Sequence, residues 1–247
     1  MNKLFWIKRI KDFGHTGWSD RLTYLYDQNM RLNLVESIIK KYFQKKLIYS
    51  LDYGCGSGDF ANLLSKYSDN VLAVDIADEI INVAKSNYKN INNIEFTLID
   101  KISIQNNRYD VINLITVLQH ILDDNDLTKL LNDFNMALTK EGILIIIDSF
   151  GDNERSDYLK FRNYHEFLYI LKENNFRVIE TATIYHPQTN PTRLFNLYRK
   201  NFIIRILNKI GCFSLLKRIA NKISQFDNPL NISDSTTKLI IVKKEIK

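Results

Sequence analysis

Two periods of apolar residues alternate along this chain. Leu47–Leu51 is a mostly apolar run closed by Asp52, and Phe60, Leu63, Leu64 and Tyr67 then recur at helical spacing. The spacing predicts a buried strand, a turn and a helix packed back on a sheet. Val71–Asp75 predicts a second strand, Ala77–Tyr88 a helix with Ile80, Ile81 and Ala84 inward, and Ile94–Ile99 a third strand ending at Asp100. Tyr109–Leu118 is the long apolar run of a strand buried on both faces. Asp123–Leu138 repeats Leu127, Leu130, Leu131, Phe134 and Leu138 on one helical face, with Glu141-Gly142 as its stop, and Gly142–Asp148 predicts the next strand. After a polar loop, Phe150–Phe161, come a helix over Tyr164–Lys172, a strand over Phe176–Thr183 and, following a long interruption, a last strand over Lys238–Lys244. Ahead of all this, Phe13–Asp20 reads as a loop, and a helix from about Asp27 to Lys46 carries Met30, Leu34, Ile38 and Tyr42. The β-α-β alternation predicts an α/β fold with a doubly wound, mostly parallel sheet.

The first turn carries chemistry. Asp52 is followed by Gly54, Gly56 and Gly58 at every second position. Glycine there permits positive φ and lets backbone approach a ligand without a Cβ in the way. Asp75, at the end of the second apolar run, is positioned to accept hydrogen bonds from both hydroxyls of a ribose, so a nucleoside-containing cofactor is expected.

The spacing differs from the G-x-G-x-x-G of a dinucleotide fingerprint. Asp52-x-Gly54-x-Gly56-x-Gly58 with Asp75 downstream resembles motif I of the class I S-adenosylmethionine-dependent methyltransferases. The resemblance implies a Rossmann-like seven-stranded sheet and S-adenosylmethionine as cofactor, with no metal. It implies Asp52 near the methionine ammonium group, the glycines along methionine and ribose, and Asp75 on the ribose. Asp100 falls where the family often holds the adenine amino group, though it also suits a strand-end turn. Ile76, Ile115, Gln28 and Arg31 complete the expected cofactor set.

At 247 residues the chain suits one domain. It is expected to divide into an N-terminal lid and helix (1–46), a cofactor-binding core (47–184), a basic helical insertion (185–237) and a last strand (238–247). The net charge of +6 fits an anionic substrate or surface without identifying one. Cys55 and Cys212, one of them inside the glycine turn, indicate neither a disulfide framework nor a zinc site. The apolar run in MNKLFWIKRIK is too short for a signal peptide, and no uncharged segment approaches the roughly 18 residues of a membrane span. A cytoplasmic location is expected.

A segment holding His15, Trp18, Tyr24, Gln28 and Arg31 has the groups of a lid over the cofactor crevice; His15 and Trp18 equally suit anchors of that segment. Phe13-Gly14-His15 and Trp18, followed by Gln28 and Arg31-Leu32, resemble the start of the methyltransferase part of bacterial kinase–methyltransferases that cap O-antigen chains on a terminal phosphate. The same stretch is similar to methyltransferases that finish O-methyl phosphoramidate groups of bacterial capsules. The implied acceptor is a phosphate or phosphoramidate of a surface polysaccharide; a sugar hydroxyl or small molecule is the alternative, and a non-catalytic cofactor-binding subunit the alternative of another class. At the end of the fourth strand, Thr116–His120 has no Asn- or Asp-Pro-Pro-aromatic sequence, which argues against methylation of nucleic-acid bases.

His120 is the first catalytic candidate, as a base for a hydroxyl or a donor to an anion, with a loop-capping role as the plain alternative. His15 is the second. Trp18, Tyr24, His186 and Arg193 are candidate substrate contacts. Between Pro191 and Ser224 the chain holds Arg193, Arg199, Lys200, Arg205, Lys209, Lys217, Arg218 and Lys222 and no acidic residue. Phe195, Tyr198, Phe202, Ile206 and Ile210 form an apolar stripe there, with Gly211 as a stop, so two basic helices are expected. They form a packed pair with a solvated basic face or, alternatively, an anionic-glycan platform, a membrane-surface contact or a dimer interface.

Overall fold

A computed structural model of the chain describes residues 3–152, 155–185, 190–225 and 236–245. It divides into two compact units, 1–16 with 39–181 and 238–247, and 17–38 with 182–237.

The first unit is organised around a seven-stranded sheet. Its strands are β1 (Leu47–Tyr53), β2 (Ser68–Asp75), β3 (Ile94–Leu98), β4 (Tyr109–Ile115), β5 (Leu138–Ser149), β6 (Phe176–Thr183) and β7 (Thr237–Lys244), in the order β3-β2-β1-β4-β5-β7-β6. The pairs β3-β2, β2-β1, β1-β4 and β4-β5 are all parallel. This is the doubly wound, Rossmann-like architecture of class I methyltransferases, and its order reverses between β1 and β4. In such sheets the crevice for ligands opens at that reversal, beyond the carboxyl ends of the strands. Ile143–Ile147 of β5 and Val111, Ile112 and Leu114 of β4 are wholly buried, as expected of strands covered on both faces.

Helices α3 (Asp59–Ser65), α4 (Asp78–Asn87), α5 (Asp124–Ala137) and α6 (Tyr164–Glu173) follow their strands. Asp123 starts α5 by accepting from the amides of Asn125 and Asp126, and Asn163 starts α6 in the same way. The expected stop at Glu141-Gly142 is corrected: α5 ends at Ala137, and both residues lie inside β5. A Cβ on Gly142 would stand 2.8 Å from the Tyr109 carbonyl oxygen, so this glycine serves a close strand approach, where the β4–β5 register shifts. One helix of this unit, α1 (Lys3–Phe13), has no counterpart among the expected elements. Its Ile10 packs with Ala77 and Ile80 of the α4 region, joined by Trp6, Ile7 and Ile76.

The helix expected from Asp27 begins earlier, as α2 (Arg21–Tyr42). The Asp20 carboxylate accepts from the Thr23 amide at 2.8 Å, a cap that hydrophobic spacing does not register.

Among its described residues the second unit contains three basic helices where two were expected: α7 (Pro191–Lys200), α8 (Phe202–Lys209) and α9 (Phe213–Gln225). Asn201 ends α7 and starts α8, its side chain accepting from the Ile203 and Ile204 amides. Gly211, at φ +74°, lies between α8 and α9. Among the described residues no helix is long and apolar enough to cross a membrane.

Candidate active site

The parallel register sets Asp52 of β1 beside Asn113 of β4. The Asn113 amide donates to Asp52 Oδ1 at 2.8 Å, while Oδ2 is buried without a hydrogen-bond partner. Burial first, and then the charge of Asp75, push the Asp52 carboxyl up to about 7, against the opposing effects of Asn113 and the Ala61 amide. A cation reaching Oδ2 would remove the cost of an unpaired buried acceptor.

Asp75 ends β2. Its Oδ2 accepts from the Gly56 amide at 2.9 Å and its Oδ1 from the Ile76 amide at 2.7 Å. A carboxylate has about four acceptor positions, so two remain for hydroxyls. Burial raises its pKa and the two amides oppose that.

The turn between these carboxylates is tight. A Cβ at Gly54 (φ +80°) would stand 2.4 Å from Val117 Cγ2, and one at Gly56 (φ +51°) 2.7 Å from Thr16 Oγ1. The amides of Gly54 and Cys55 both donate to the Val74 carbonyl, Gly56 to Asp75, and Gly58 to the Cys55 carbonyl. With those donors engaged, the turn suits close backbone approach better than the cradling of a pyrophosphate.

The turn after β4 carries His120. Leu118–His120 form one 3-10 turn, fastened from three sides. Asp148, at the end of β5, accepts from the Leu118 and Gln119 amides at 2.8 and 3.4 Å. Buried Arg162 donates to the carbonyls of Leu118 and Ile121 at 3.1 and 2.7 Å and to Asp124 at 2.9 Å. The Lys160 amide donates to the Gln119 carbonyl at 2.7 Å.

His120 itself is buried. Its Nδ1 lies 2.9 Å from the Tyr158 carbonyl, which can only accept, so Nδ1 carries the proton. Nε2 then accepts from the Gln119 side-chain amide at 3.2 Å. Burial holds the ring neutral by lowering its pKa, against the pull of the Tyr158 carbonyl. Trp6 meets the ring edge-on at 4.6 Å, and Phe5 stacks on Tyr158 at 4.5 Å.

The other expected site residues fall in both units. Ile115 ends β4 and is buried; Ile76 packs with α1; Asp100 is exposed in the 3-10 turn Ile99–Lys101 after β3. His15 belongs to the first unit, buried, its ring 6.2 Å from that of Phe13. Trp18, Tyr24, Gln28, Arg31 and Arg193 belong to the second unit. There Trp18 donates to Asp27 at 3.0 Å, and its ring lies 5.6 Å from Phe195. Arg31 pairs with Asp27 at 2.9 Å and donates to the Tyr185 hydroxyl at 2.8 Å. Tyr24 is buried beside the Arg21 guanidinium, Gln28 is half-buried on α2, and Arg193 is exposed on the first turn of α7. His186 lies outside the described residues.

Sequence reading missed Asn113, Asp148, Arg162, Tyr158 and Trp6. Asn113 and Asp148 had a signal, a polar residue in or at the end of an apolar strand run. The others had none.

Comparison with known proteins accords with this geometry. Residues 51–146, from β1 through most of β5, match the methyltransferase domain family. A ubiquinone biosynthesis O-methyltransferase of Coxiella burnetii is 24% identical over 212 residues, covering 74% of this chain and 86% of that one. A solved S-adenosylmethionine-dependent methyltransferase of Leishmania major superposes with a TM-score of 0.64 at 15% identity, covering 97% of this chain and 80% of that one. The [4+2]-cyclase SpnF superposes with a TM-score of 0.61 at 12% identity, covering 87% and 82%. The chain therefore carries a class I methyltransferase domain. The domain match and the fold together support an S-adenosylmethionine-dependent methyltransferase and imply S-adenosylmethionine as its cofactor. The bare, buried Asp52 Oδ2 and the three glycines of the turn fit a ligand with a cationic group lying close to backbone.

Proposed function

We propose that this chain is an O-methyltransferase whose acceptor hydroxyl gives its proton to His120. The observation that carries the reading is the tautomer of His120: Nδ1 is committed to the Tyr158 carbonyl, so Nε2 offers a lone pair and not a proton. A neutral imidazole held this way is a base for a hydroxyl and a poor donor to an anion. This arrangement favours the expected base role of His120 over its expected donor role. The Coxiella relative, an O-methyltransferase by name, supports oxygen as the acceptor atom.

In this reading Asp52 holds the ammonium group of S-adenosylmethionine, Asp75 its ribose hydroxyls, and the Gly54–Gly58 turn admits it close to the backbone. The bound cofactor supplies a methyl group already activated on a sulfonium. The chain's own work is then alignment and, for a hydroxyl, proton removal. Asp148 and Arg162 keep the His120 turn in place, and Trp6, Phe5 and Tyr158 shield the imidazole from water.

A second reading keeps the phosphate or phosphoramidate acceptor of a bacterial surface polysaccharide. The net charge of +6 and the Phe13–Leu32 resemblance favour it. Such an oxygen is already anionic near neutral pH and needs cations around it, not a base.

The pH profile of kcat separates the two. With a hydroxyl acceptor, the rate should rise through the lowered pKa of His120, and His120→Gln should cost about 10²–10⁴ in kcat. A flat profile with a tolerated His120→Gln would favour the anionic acceptor. A folded chain that binds S-adenosylmethionine yet methylates no oxygen acceptor of either class would point to a binding subunit.

A further inference from the structure

The second unit carries a surface that methyl transfer does not account for. We propose that α8 and the ends of its neighbours dock on an anionic phospholipid surface, lying along it.

Three observations carry this. The first is that α8 buries none of its residues, although Phe202, Ile203 and Ile206, with Ile210 just after it, share one face. Phe202 and Ile203 are 71% and 68% exposed. The flanking helices bury apolar residues, Leu194 of α7 and Leu216 and Ala220 of α9, whereas on α8 Ile204 and Leu207 are only half-buried and the Phe202–Ile203–Ile206 face is exposed. A contiguous apolar stripe left in water marks a contact surface.

The second is charge. Arg199, Lys200, Arg205 and Lys209 flank this stripe, all exposed, and none enters an ion pair among the described residues. No acidic residue occurs from Pro191 to Ser224 to offset them. Basic residues around an apolar face are the pattern of a helix lying in a membrane interface, where apolar side chains enter the acyl boundary and cations meet the headgroups.

The third is length. At eight residues α8 is far too short to span a bilayer, so the helix lies on the surface.

Other occupants suit these features less well. A second copy docking through the same face would bring like charges together, because a two-fold interface is self-complementary. An acidic glycan would use the cations but leave Phe202 and Ile203 exposed.

Flotation with lipid vesicles tests the proposal on the full chain. Vesicles of phosphatidylcholine with about 30 mol% phosphatidylglycerol should carry the protein upward, and vesicles of phosphatidylcholine alone should carry much less. Arg205→Glu with Lys209→Glu, and separately Phe202→Ser with Ile203→Ser, should each lower the partition coefficient at least about tenfold. S-adenosylmethionine affinity by calorimetry should stay at the wild-type value in both. A second charge reversal, Arg199→Glu with Lys200→Glu on α7, gives the same reading if either variant folds poorly. Wild-type protein left at the bottom of the gradient with both vesicles overturns the proposal. So does vesicle binding that the serine pair leaves unchanged. A dimer in light scattering that the serine pair dissociates, without vesicle binding, assigns the face to a second copy. Binding to dextran sulfate without vesicle binding assigns it to an acidic glycan.

Discussion

Asn113 of β4 donates to one oxygen of Asp52 on β1, and the other oxygen of that carboxylate is buried and bare. The pair lies where the strand order of the sheet reverses. Burial holds this carboxyl up near 7, and in the proposed reading it receives the ammonium group of S-adenosylmethionine.

Cofactor binding should therefore depend on pH. The folded carboxyl keeps its proton up to about 7, and the unfolded one loses it near about 4. A bound cation favours the charged form and displaces that proton. Affinity for S-adenosylmethionine should rise by up to about tenfold per pH unit between about pH 5 and 7 and then level off. Calorimetry in buffers of different ionisation enthalpy should detect about one proton released per binding event at the low end. Asp52→Asn should abolish the dependence. Without cofactor the sign reverses for stability: the raised pKa means that the folded state loses stability as pH climbs from about 4 to about 7.

Asp75→Ala should weaken S-adenosylmethionine binding by about 1.5–3 kcal/mol, the worth of hydrogen bonds to a charged acceptor. It should also lower the melting temperature, because the amides of Gly56 and Ile76 lose their acceptor. Asp75→Asn keeps one acceptor oxygen and should recover part of the stability. Affinity that survives the alanine change in a folded protein would remove Asp75 from the cofactor site.

Gly56→Ala tests the turn. Its new Cβ would collide with Thr16 Oγ1, and φ +51° costs a residue with a Cβ roughly 1–2 kcal/mol in any case. Adding Thr16→Ala should relieve the collision and leave the backbone cost. The double variant should thus melt above Gly56→Ala and below wild type. Equal melting of all three proteins would mean that Thr16 does not lie over this turn.

Arg162→Met should act on His120 from a distance. It leaves the Leu118 and Ile121 carbonyls without their donor, a loss of about 2–3 kcal/mol in stability. The His120 turn should then sample other positions. In the hydroxyl reading, kcat should fall more than KM changes, and Arg162→Lys should rescue only in part, since one ammonium cannot span both carbonyls and Asp124. A variant with lower stability but full kcat would reduce Arg162 to a packing role.

The strand–turn–helix around Asp52 was legible in the sequence because everything that defines it is local. Glycine spacing sets the turn, and apolar period sets what lies on either side. Strand β6 has the same bounds, Phe176–Thr183, in the sequence reading and in the fold. Tertiary structure decided what local pattern cannot carry. Periodicity reports that a residue is buried, not which group it meets. Asn113 becomes the partner of Asp52 only because a crossover sets β4 beside β1. The tautomer of His120 depends on a carbonyl far along the chain, at Tyr158, and its turn on Asp148 and Arg162. Caps moved two helix boundaries, at Asp20 and Asn201, because a side-chain oxygen reaching a free amide outweighs a gradual hydrophobic pattern. The sequence alone thus determined the strands of the sheet and the glycine turn after the first of them. Burial among distant strands decided the raised pKa of Asp52, and a hydrogen bond to a distant loop decided which nitrogen of His120 carries its proton.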